Sequence, residues 1–159
     1  MATTAPIVQP DAATSNSGPV LEPGDRLTRD EFERRYERMP GLRKAELIEG
    51  TVFMPSPVRA ERHAEPHNQL GTWLGIYVSE TFGIKCFDNA SVRLDLDNEP
   101  QPDLVLVKLR GGQSRISADD YIEGAPELAV EIVGSSKATI CIRKRAPIAA
   151  MASVSTWLG

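Results

Sequence analysis

The sequence is poor in cysteine and has no long apolar run. Its two cysteines, Cys86 and Cys141, form no spacing motif. No disulfide framework is therefore indicated, and a reducing cytoplasm is the expected compartment. No stretch approaches the roughly 20 apolar residues of a membrane helix. No basic segment followed by an apolar stretch opens the chain, so no secretory signal is expected. There is no internal repeat and no surplus of basic charge: 18 Lys and Arg stand against 22 Asp and Glu, a net charge of −4. That balance argues against strong non-specific binding to nucleic acid, which needs clustered Lys and Arg. It leaves a nuclease open, because an acidic metal site adds negative charge that its ions neutralise.

What is present suits one soluble domain. The chain has 159 residues, 41% of them apolar and 25% charged, enough for a sizeable core. Residues 1–24, rich in Ala, Thr, Ser and Pro without periodicity, read as a disordered tail. Thr28 followed by Glu31 has the spacing of a capping box and predicts a helix through about Met39, with Phe32, Tyr36 and Met39 on one face. Residues 45–53 read as one or two strands bent at Gly50. A second helix is expected from near Pro66 to Thr81, its apolar stripe made by Leu70, Trp73, Leu74, Tyr77 and Val78 and assigned to the core. Strands are expected at 84–87, 91–96, 104–107 and 128–133, with a polar connection from Gly111 to Gly124. The class is α/β: a central mixed sheet flanked by helices.

Two of these strands carry the candidate chemistry. Asp103 stands at the mouth of the apolar run Leu104–Val107, and Glu131 sits inside Leu128–Val133. Carboxylates on adjacent strands can share a hard cation such as Mg²⁺ or Mn²⁺, which takes oxygen ligands and keeps several waters. The plainer alternative is a turn Asp after Pro102 and a solvated Glu near a strand end. Glu46 and Glu49 flank Leu47-Ile48, so strand alternation sends them to opposite faces. His67, just after Pro66 at a helix start, either caps the helix or joins the site.

The order Glu46-Leu47-Ile48-Glu49-Gly50, Met54-Pro55-Ser56-Pro57, His67, Gln101-Pro102-Asp103, Glu131-Ile132-Val133 resembles the Uma-type restriction endonuclease family of the PD-(D/E)XK nuclease superfamily. The resemblance spans roughly residues 25–137. It implies a restriction endonuclease-like core over 25–137, a metal-dependent endonuclease activity on DNA, Asp103 and Glu131 as the Mg²⁺ (or Mn²⁺) ligands, and Glu46 as the inward-facing acid. The superfamily lysine, two residues after the second acid, would fall on Val133. Uma-type proteins carry it later, on a following helix, where this chain has Lys144. A homodimer is a further expected partner arrangement.

After Lys137 the likeness stops. The family continues with a helix and a strand, whereas 138–159 contains Pro147 and no clean period. Read one base earlier from the last base of the Lys137 codon, the genetic code permits S-Y-D-L-Y at 138–142, Lys at 144 and R-A-Y-R-R-N-G-V-R-E-Y-L at 146–157. A one-base frameshift is therefore the expected origin of an aberrant tail over 138–159. It would disrupt the C-terminal helix and strand, and weaken catalysis while sparing the metal ligands. The competing readings are a non-catalytic binding module of the same fold and a non-functional product.

Overall fold

The computed structural model describes residues 19–55 and 58–132. Most of the expected tail at the N-terminus, the expected aberrant tail at 138–159 and Lys144 lie outside these residues. Within them, two helices and eight short strands form the α/β architecture expected: α1 (Arg29–Tyr36), β1 (Glu46–Ile48), β2 (Thr51–Phe53), α2 (Glu65–Glu80), β3 (Ile84–Asp88), β4 (Val92–Arg93), β5 (Leu104–Lys108), β6 (Arg115–Ile116), β7 (Ile122–Glu123) and β8 (Leu128–Val130). A π-helical turn, Ala60–Ala64, leads into α2.

The strands fall into three sheets, ordered β1-β2, β3-β5-β8 and β4-β7-β6. The sheet that carries Asp103 is antiparallel throughout. The parallel pairing that makes the architecture mixed is β4 with β7. β5 is the central strand, and Leu104 to Val107 are all buried because both of its faces are covered. Leu104 and Leu106 join Leu74 of α2, Val130 and Ile132 on one side. Val105 and Val107 join Val92 and Ile122 on the other. Burying each such side chain is worth about 1.5–3 kcal/mol, so this strand anchors the molecule.

A third apolar cluster joins α1 to the β1-β2 hairpin through Phe32, Ala45, Leu47 and Val52. The hairpin turns on two residues, since Ile48 pairs directly with Thr51. Glu49 and Gly50 both adopt positive φ, at 49° and 71°, the geometry of a tight hairpin turn whose twist matches its strands.

Several expectations change in detail. Leu21, 3% exposed, packs in this third cluster, so the packed chain starts before Asp25. α1 ends at Tyr36 rather than near Met39, and Thr28 makes no side-chain cap. The Glu31 carboxylate that would complete a capping box is held instead by Arg34 and Arg35. Trp73 and Tyr77 point outward, 63% and 45% exposed, leaving Leu70, Leu74 and Val78 as the inward stripe of α2. Among the described residues, α2 packs on the β3-β5-β8 sheet through these three side chains. β4 is only two residues long, and Leu96 beyond it is exposed. The polar connection at 111–124 contains β6 and β7, too short to carry a period of their own.

Candidate active site

The pairing of β5 with β8 sets Leu104 opposite Val130. One step further along this antiparallel register, Asp103 stands opposite Glu131. Directly opposed residues share a face of the sheet, so the two carboxylates that sequence alone placed on separate strands come together. Their backbones lock them: the Ile132 N–H donates to Asp103 Oδ2 at 2.7 Å, and the Asp103 N–H donates to Glu131 Oε2 at 3.2 Å. Asp103 is buried, while the Glu131 side chain keeps 37% of its surface, so the pair opens to solvent on the glutamate side.

Burial, and then the Asp103 charge beside it, push the Glu131 carboxyl up to about 7, with Lys44 pulling the other way and Glu46 adding to the rise. Water reaching the half-open side chain screens part of this effect. Two acids crowded on one edge carry more negative charge than the nearby lysine offsets.

Glu46 lies on the site side, with Oε1 accepting the Gln101 N–H at 2.7 Å. Glu49, in the hairpin turn, is exposed. His67, early in α2, has Nε2 3.1 Å from the Asp103 carbonyl and 3.1 Å from Asp88 Oδ1. It braces the backbone behind the pair and does not face the acids themselves. Lys144 lies outside the described residues.

Two residues at the site were not singled out from sequence. His63, in the π-helical turn, brings Nε2 to 3.1 Å from Asp103 Oδ2, and its Nδ1 is buried without a partner among the described residues. Lys44 places Nζ 3.8 Å from Asp103 Oδ1 and 4.0 Å from Glu131 Oε1. The signals existed. Lys44 precedes Glu46 by two residues and so shares its face of the strand. His63 precedes His67 by four, the spacing of neighbours on a helical face, and their rings stand 5.9 Å apart.

Among the described residues no group of three His, Cys, Asp or Glu side chains could hold a metal ion. The donor set is a pair of opposed carboxylates. That set fits Mg²⁺, which one or two carboxylates commonly hold while waters and substrate phosphates complete the shell.

Residues 29–154 match the Uma2 family, described as "Putative restriction endonuclease". The chain belongs to that family. The match takes in Lys44, Glu46, His63, His67, Asp103 and Glu131, and runs on past Lys137. A crystal structure of a putative nuclease from Anabaena variabilis is 16% identical, with a TM-score of 0.46 over 62% of this chain and 55% of that one. This chain thus spans about half the length of that protein. No curated protein matches the chain. No helix among the described residues is long and apolar enough to cross a membrane.

Proposed function

We propose that this Uma2-family chain hydrolyses phosphodiester bonds in DNA, with a divalent cation, Mg²⁺ or Mn²⁺, held by Asp103 and Glu131. The observation that carries this reading is the direct opposition of the two carboxylates at the ends of β5 and β8. A cation bound there would activate water and stabilise charge on the phosphodiester. The chain's own residues prepare the position. The Ile132 N–H and His63 fix Asp103 Oδ2, the Asp103 N–H orients Glu131, and Glu46 adds negative charge behind them. His67 holds the Asp103 carbonyl and so the start of β5. The family match extends to residue 154; a frameshift after Lys137 would bear on rate rather than on metal binding, because both carboxylates precede it.

The test pairs Mn²⁺ titration by calorimetry with Mg²⁺-dependent nicking of supercoiled plasmid. The parent chain is expected to bind Mn²⁺ and to nick, and Asp103→Ala to lose both. Metal binding or nicking that persists in Asp103→Ala removes the proposed site.

A further inference from the structure

We infer that Lys44 is the amine of this site, the cation that meets the scissile phosphate. The inference rests on the metal-nuclease reading above and assigns a residue that lies far from Lys144 in the chain.

Lys44 is set by the fold. Ala45 beside it is buried at 2% exposure, and Glu46 opens β1, so the backbone direction at Lys44 is determined by the packing of the hairpin under α1. The side chain, 19% exposed, runs along the site and ends between the two acids. At 3.8 and 4.0 Å neither contact is a hydrogen bond. Lys44 therefore offsets the pair's charge without committing its N–H groups to either carboxylate. Asp103 and Glu131 are the acids that its Nζ approaches, at 3.8 and 4.0 Å.

An amine poised in this way has two consequences. It shares its acids with any cation that enters, so it opposes that binding, like charge against like. Its N–H groups, hydrogen-bonded to neither carboxylate, and its long flexible stem suit a non-bridging phosphate oxygen brought to the same edge. Fixed positive charge beside developing negative charge is the usual means of lowering such a barrier. Under this assignment the amine comes from the segment just before β1, and the residues after Lys137 need not supply it.

The experiment uses the full chain with Lys44→Gln, Lys44→Arg, Lys144→Gln and Asp103→Ala, each checked for folding by circular dichroism. Removing a positive charge this close to the pair should tighten Mn²⁺ binding by about three- to tenfold in Lys44→Gln. Binding of a duplex oligonucleotide in Ca²⁺ should weaken by about threefold, and plasmid nicking should fall by about a hundredfold. Lys44→Arg, which keeps the charge, should hold Mn²⁺ affinity at the parent's level and remain informative if Lys44→Gln does not fold. Unchanged or weaker Mn²⁺ binding in Lys44→Gln overturns the assignment, as does a loss of nicking in Lys144→Gln that Lys44→Gln does not share. For Lys44→Arg, a several-fold change in Mn²⁺ affinity counts against it. A parent chain that binds no Mn²⁺ instead brings down the metal-nuclease reading, and this assignment with it.

Discussion

Two crowded carboxyl pairs among the described residues are resolved in opposite ways. At the candidate active site, Asp103 and Glu131 each accept a backbone N–H from the other's strand, with one amine near both and hydrogen-bonded to neither. Behind α1, Glu33 and Glu99 meet between two guanidinium groups. Arg93 donates to both oxygens of Glu33 at 2.7 and 2.8 Å, and Arg29 lies 3.4 Å from Oε1. Glu99 is 1% exposed, and neither of its oxygens finds a donor among the described residues. Burial first, then its hydrogen bond and charge contact with Glu33, push its carboxyl up to about 8. Burial works against Glu33 too, but the Arg93 hydrogen bonds, followed by the one from Glu99, hold its carboxyl below the usual range.

The two descriptions of Glu99 agree once it carries a proton. An ionised Glu99 has nothing to accept from, whereas the acid can donate to Glu33. This second pair is closed by a proton and clipped by arginine, which suits a structural joint between α1 and the segment leading to β5. The first pair is open to solvent, backbone-oriented and, among the described residues, short of positive charge, which suits a site that takes a cation. Carboxyl crowding alone does not mark a site. Access and the partners already present decide.

The comparison can be broken at several points, in order of expected effect. Asp103→Ala should abolish Mn²⁺ binding, and Arg93→Ala should leave it intact. A loss in both would show that the two regions are one system. Arg93→Ala should instead cost about 3 kcal/mol in urea unfolding, because it leaves the largely buried Glu33 with Arg29 alone and removes a guanidinium seated 3.7 Å over the Tyr121 ring. A cost below about 1 kcal/mol, the level of an ordinary exposed pair, would show that the clip is dispensable.

The Glu99 proton gives a pH signature. Its carboxyl is raised in the folded state from 4.5 to about 8, so the folded chain binds the proton more tightly than the unfolded chain does. The contribution is fully present below about pH 4.5 and is lost progressively as pH rises through about 8. Glu99→Gln, which keeps a donor toward Glu33, should flatten that decline and gain roughly 1–2 kcal/mol at pH 9 relative to the parent. An identical pH dependence in the two proteins would mean that Glu99 is ionised when folded. The smallest effect is expected at α2's outer face. Trp73→Ser should change stability by no more than about 0.5 kcal/mol in the same unfolding assay, since the indole is 63% exposed. A larger loss would mean that the face is covered in solution.

Much of the framework was legible from local pattern. Phe32 and Tyr36 on one helical face, the run Leu104–Val107, and the reversal at Gly50 follow from side-chain periodicity and turn chemistry, which act over a few residues. The chemistry of the pair was legible as residue type: an acid at the mouth of one apolar strand and another within the next. The shortness of β4, β6 and β7, and the outward turn of Trp73, were not legible, because two-residue strands have no period and a stripe does not record the width of the sheet it will meet.

By itself, then, the sequence determined where the two helices and the longer strands form, and that two strands each bring a carboxylate. Only the tertiary structure decided that Asp103 stands opposite Glu131 across 28 residues of chain, that Lys44 and His63 close around them, and that Glu99 is sealed against Glu33. The reason is physical. Local periodicity reports burial within one element, whereas cross-strand register and the desolvation of a charge depend on which distant elements pack together, and those contacts arise only in the folded chain.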